Sequence, residues 1–88
     1  MLTYNRMVVD QLDETRADRI FHALADATRR DIVAAVLHDP QSVSGLARRY
    51  PMSFAAVQKH VAVLERSELV TKERRGREQL VRGNVETV

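Results

Sequence analysis

The side chains in this 88-residue sequence that could do chemistry are mostly cations, and they gather in its second half. Arg74, Arg75 and Arg77 crowd around Gly76, and Gln58 and Lys59 stand side by side in an apolar-periodic stretch. A Gln can grip a base edge through two hydrogen bonds, and Lys or Arg neutralises a phosphate, so this set suits a polyanion. Like charges at a turn repel one another unless an anion arrives. Glu73 and Glu78 can also neutralise part of the cluster, which leaves a solvated basic surface as the other reading.

Other chemistries find no residues to carry them. There is no Cys, hence no disulfide, thiolate metal site or Cys nucleophile. His22, His38 and His60 are isolated and lack ligand spacing, so neither a metal nor a cofactor is expected. With no paired-carboxylate cleft and no phosphate-cradling Gly loop, the chain does not read as an enzyme. No apolar run reaches the roughly 18 residues of a membrane span, and the first residues lack a signal-peptide core. A cytoplasmic location without membrane contact is expected.

The net charge of +2 hides a gradient. Residues 1–42 carry five Arg against seven acids, a balance of −2, whereas residues 43–88 carry nine basic residues against five Glu, a balance of +4. A basic second half suits a polyanion partner or an inconsequential Arg/Glu surface alike. With 44% hydrophobic and 30% charged residues, 3 Gly and 2 Pro, the composition is that of a globular chain. A chain this short hides only about 60% of its unfolded surface on folding, so one domain over residues 1–88 is expected, with a partner supplying further burial.

The elements that must position these residues are mainly helical. Leu2, Tyr4, Val8 and Leu12 lie in or beside a wide apolar stripe over residues 1–13, a terminal helix in need of cover. Asp13 or Thr15 can cap a second helix with a core-facing stripe of Ala17, Ile20, Phe21 and Leu24. Asp26 can cap a third, which buries Ile32, Val33, Val36 and Leu37 and ends at Asp39-Pro40. Ser44 can cap a short fourth helix that stops before Pro51, and Ser53 a fifth from Phe54 to about Arg66, so that residues 44–66 form helix, turn, helix. In the fifth, Phe54, Val57, Val61 and Leu64 share one sector, and Ala55, Lys59, Ala62 and Arg66 the opposite one. Residues 69–82 read as two strands around Arg75-Gly76. The expected fold is mainly α with a small β-hairpin: five helices plus a two-stranded wing, a winged helix-turn-helix.

Three stretches carry a family resemblance over roughly residues 17–84. Residues 21–33 (FHALADATRRDIV), residues 56–65 (AVQKHVAVLE) and the run Arg75-Gly76-Arg77-Glu78 resemble, in order, the signatures of ArsR-type bacterial transcriptional repressors. The resemblance implies a homodimer that binds double-stranded DNA at a palindromic operator and leaves it on receiving a signal, here of unknown identity. Ser53, Ala55, Ala56, Gln58 and Lys59 would then face the major groove, with Gln58 reading bases. Arg48, Arg49 and Arg66 would contact phosphates, and Arg74, Arg75 and Arg77 would form the wing contact. The metal-sensing members have a Cys-x-Cys-type motif where this chain reads Ser42-Val43-Ser44, and a second site on a C-terminal helix, whereas this sequence ends at Val88 just after the wing. The interface therefore falls to Leu2, Tyr4, Val8 and Leu12. Ser67-Glu68 stands where relatives have a pair such as Ala-Gly, which implies local strain or a different exit from the fifth helix. A winged-helix protein-interaction module without specific DNA binding is the alternative.

Overall fold

The computed structural model describes residues 14–87. Leu2, Tyr4, Val8, Leu12 and the proposed cap Asp13 lie outside them. Helix α1 occupies residues 14–24 of that span, so Thr15 is a helical residue and not a cap. There follow α2 (Ala27–His38), β1 (Gln41–Ser42), α3 (Val43–Ala47), α4 (Phe54–Arg66), β2 (Val70–Arg75) and β3 (Glu78–Gly83).

Three helix starts are set by side-chain oxygens that accept otherwise orphaned N–H groups. Asp26 accepts from Arg29 N–H at 3.0 Å, Ser42 from Gly45 N–H at 2.9 Å and Ser53 from Ala56 N–H at 3.1 Å. The cap of α3 is thus Ser42 and not Ser44. After Pro40 the chain stays extended and pairs Gln41 with Val81 and Ser42 with Leu80, so the hairpin gains a third strand and the sheet order is β1-β3-β2. Ser42 ends that strand and starts the helix at once.

The core is an apolar seam between helices and sheet. Val57, Val61 and Leu64 of α4 lie one and two turns apart and meet Ile32, Val33 and Val36 of α2, Val43 and Leu46 of α3, and Leu69, Val70 and Val81. Each large side chain so buried contributes on the order of 1.5–3 kcal/mol. Three apolar residues depart from their expected burial: Phe21 is 72% exposed, Phe54 47% and Leu37 38%. Phe21 falls at the edge of the α1 stripe, where Ile20, Ala23 and Leu24 already fill the contact, and Phe54 lies in the first turn of its helix. Leu37 lies against Gly83, where a Cβ would come within 2.4 Å of its side chain, so the missing side chain is what lets β3 approach α2.

Both tight turns are explained by backbone handedness. Arg75 pairs with Glu78, and Gly76, at φ 60°, supplies the positive φ that a II′ turn needs at its first central position. At the end of α4, Leu69 N–H donates to Leu64 O and Glu68 N–H to Glu65 O, both at 3.0 Å, which is a Schellman motif. Its left-handed position is Glu68, at φ 64°. The chain thus keeps the exit that glycine favours and accepts the strain of a Cβ there. Arg16 Nη2 donates to Glu68 Oε2 at 3.0 Å, and Asn84 Nδ2 to Glu68 O at 2.9 Å, which hold the residue in place.

Glu68→Gly should raise stability by about 1 kcal/mol, because relief of the left-handed penalty exceeds the small worth of an exposed ion pair. Glu68→Ala should lower it, since the penalty stays and the pair is lost. Urea denaturation of the two variants, with unchanged m, checks the order.

Candidate nucleic-acid interface

Burial of Val57, Val61 and Leu64 turns the opposite sector of α4 outward. Ala55, Gln58 and Lys59 are exposed and Ala56 is half-buried. Ser53 is exposed at the start of the helix; its Oγ accepts the capping N–H yet keeps its own O–H to donate. The small side chains of Ala55 and Ala56 leave this end of α4 open to close approach. Arg48 and Arg49, also exposed, follow α3.

The wing residues do not form one equivalent group. Side chains alternate across a strand, so Lys72 and Arg74 share the face of β2 that carries buried Val70, and Lys72 Nζ lies 3.6 Å from Glu65 Oε1 of α4. Glu73 and Arg75 take the other face, where Glu73 Oε1 accepts from Arg75 Nε at 3.1 Å and lies 3.7 Å from Arg82 Nη2. Among the described residues, Arg74 and Arg77 make no ion pair. The most available cations of the wing are therefore Arg74, on the α4 side, and Arg77, in the turn. Arg66 stands apart from them: it projects from the last turn of α4 into a groove shared with Arg16 and Arg19 of α1.

What orients α4 is a polar hub that helical periodicity does not reveal. Arg29 Nε donates to Ala23 O at 2.7 Å and Nη2 to His22 O at 3.1 Å, while Arg30 Nη1 donates to Leu24 O at 2.6 Å. These are the C-terminal carbonyls of α1, so two cations in the first turn of α2 serve the negative end of the helix before it. Arg29 Nη1 also donates to His60 Nδ1 at 3.2 Å, and Asp26 Oδ2 lies 3.9 Å from the same nitrogen. His60, with 20% of its side chain exposed, is thus a packing residue that ties α4 to the α1–α2 corner. The backbone N–H of Arg29, helped by the guanidinium of the same residue, holds the Asp26 carboxyl below the usual range against the opposing effect of burial. On the far side of α2, Tyr50 donates its phenol O–H to Asp31 Oδ2, and burial together with that bond pushes Tyr50 up to about 12.

Among the described residues no group of His and acidic side chains could hold a metal ion, and no helix is long and apolar enough to cross a membrane. The arrangement can bind, through an exposed helix face and a cationic hairpin.

Known proteins share the plan. A family model described as a helix-turn-helix domain matches residues 24–73. The HTH-type transcriptional regulator Rv2034 of Mycobacterium tuberculosis is 49% identical over 53 residues, which are 60% of this chain and 50% of that relative, so the match spans only half of that protein's length. The ArsR-like transcriptional regulator from Rhodococcus sp. RHA1 is 33% identical with a TM-score of 0.77, over 85% of this chain and 71% of that one. The homodimeric winged helix-turn-helix DNA-binding domain of Mb0332 from Mycobacterium bovis has a TM-score of 0.77 over 89% of this chain and 70% of that one; at 24% identity the likeness is one of fold.

Asp26→Ala should cost about 1 kcal/mol through the lost cap. Because the folded state holds this carboxyl low, its contribution is present above the ordinary carboxylate pKa and is lost as pH falls through and below about 4. Thermal unfolding from pH 7 to 3 should therefore show the variant and the parent converging at the acid end.

Proposed function

This chain belongs to the ArsR-type family of winged helix-turn-helix transcriptional regulators, and from that premise we propose that it is a sequence-specific DNA-binding repressor that works as a homodimer on a palindromic operator. The observation that carries the proposal is the exposed face of α4, where Gln58 and Lys59 stand clear of the core beside the small residues Ala55 and Ala56. The helix enters the major groove by its N-terminal half. Gln58 reads a base edge, Lys59, Arg48 and Arg49 contact phosphates, and Ser53 directs its free O–H to the backbone. Arg74 and Arg77 make the wing contact, and Arg75 joins them by exchanging Glu73 for a phosphate.

The homodimer has two supports. Mb0332, of the same fold, is described as homodimeric. In this chain Phe21 places an exposed aromatic ring on α1, close in sequence to the apolar stripe of Leu2, Tyr4, Val8 and Leu12. We assign that helix face to the twofold contact, which also answers the small size of the domain. Binding in the cytoplasm, without catalysis and without a bound cofactor, completes the proposal.

Selection of bound duplexes from a random pool should return half-sites about one helical turn apart. On the selected operator, affinity should fall steeply with salt, and Arg74→Ala should weaken all duplexes alike and reduce the salt slope by about 1. Gln58→Ala should instead relax discrimination at one position by about 1–3 kcal/mol. An affinity that is flat with salt would remove the proposal. In sedimentation the parent chain should be a dimer at micromolar concentration and Phe21→Asp a monomer; a parent that stays monomeric at high micromolar concentration contradicts the assigned interface.

A further inference from the structure

Arg66 borders α1, and its surroundings form an open cationic groove. Thr15, Arg16, Arg19 and His22 recur at three- and four-residue steps on α1, and this edge of the helix faces the end of α4 across an open groove. Two lobes of about 290 and 350 Å³ share Arg19, Arg66 and Ser67. These volumes sit at the lower end of the range of small-molecule sites. Three Arg against one Glu leave the lining at +2. Glu68 is matched by Arg16 at 3.0 Å, and among the described residues Arg19 and Arg66 have no ion-pair partner. Two guanidinium groups lining one groove without an ion-pair partner attract anions, and a ligand with two anionic oxygens can engage both through paired N–H···O bonds.

A second feature converges on this groove. The strained left-handed residue of the fold is Glu68, at its rim, where glycine would relieve the backbone but could not engage Arg16. The groove also lies away from the face assigned to DNA. Arg66 is about 12 Å along α4 from Gln58 at 1.5 Å per residue. Phe21 projects about 160° around α1 from Arg19, so the proposed dimer contact leaves the groove open.

We propose that the groove between α1 and the C-terminal end of α4 is an effector site for a small organic polyanion, a polycarboxylate or a phosphate ester, held by Arg19 and Arg66 with His22 beside them. An anion there draws the last turn of α4 towards α1 and so changes the tilt of the helix assigned to DNA. In that respect the proposal rests on the DNA-binding role, while occupancy of the groove does not. By linkage, whatever factor the anion imposes on DNA affinity, DNA imposes on the anion.

The test is isothermal titration of the 88-residue chain with citrate and, separately, with inorganic phosphate, at ionic strength matched by KCl and without DNA. Saturable binding at one site per chain, tighter than about 10 mM, is expected with at least one probe. Binding of citrate alone identifies a polycarboxylate, and of phosphate alone a phosphate ester. Arg19→Ala and Arg66→Ala should each weaken it at least tenfold, Arg19→Lys should restore part of it, and Arg82→Ala, on the outer face of the sheet, should leave it unchanged. Far-ultraviolet circular dichroism checks that each variant is folded. Absence of saturable binding with both probes, or an equal loss in Arg82→Ala, overturns the site. A duplex-anisotropy arm with and without the binding probe reads the coupling, and a failure confined to that arm overturns only the regulatory link.

Discussion

The position of every exposed group in this domain depends on how the apolar edge of α4 is clamped. Val57, Val61 and Leu64 are sealed against α2, α3 and the sheet, and a rigid helix buried along one side must present the other. Gln58 and Lys59 are outward for that reason alone. The clamp fixes the rotation of the helix about its axis, but hydrophobic contact is non-directional and does not tie the polar ends of the helix to their neighbours. Directional bonds must supply the rest.

Those bonds come from the corner between α1 and α2. Arg29 reaches two carbonyls at the end of α1 and the imidazole of His60 on α4, while Asp26 caps α2 through the backbone of the same arginine. One guanidinium thus links three helices, with two of its donors spent on carbonyls in the last turn of α1. At the other end of α4 the link is electrostatic and more exposed: Glu68, held in a left-handed conformation, pairs with Arg16 of α1. The firm link and the soft link sit at different heights along α4, so a charge arriving at the soft end can tilt the helix about the firm one. Exposed pairs are weak, which makes them suited to exchange rather than to support. Glu73 in the wing has the same character, since it holds Arg75 and lies near Arg82 only until a stronger anion competes.

Much of the architecture was legible in the linear pattern because it is set by short-range spacing. Asp26 and Ser53 act as caps within three residues of their donors, Val57, Val61 and Leu64 repeat at helical intervals, and Gly76 answers a turn that only a residue tolerant of positive φ can make cheaply. The third strand was not legible. Gln41 and Ser42 are two residues with no alternation, and they become a strand only because β3 lies beside them. Nor was the exposure of Phe21, which has the same apolar character as its neighbour Ile20 and differs only in what the fold places opposite it.

For the candidate site the division follows the range of the forces. The sequence alone determined which residue types are available, where the helices turn and that the positive charge gathers in the second half, because composition and local periodicity carry that information. It also determined that the exit from α4 would lack glycine. Which charges are spoken for was decided by the tertiary structure alone. Arg75 is held by Glu73 and Arg74 is not, although they are adjacent, because strand alternation sends them to opposite faces. Arg66 shares its helix with Lys59 yet shares its surroundings with Arg16 and Arg19, because its side of the last turn of α4 borders α1, whereas neighbouring Glu65 meets Lys72 of the wing. Charge pairing acts through space over a few ångströms, and no spacing along the chain encodes which distant side chain will arrive within that distance.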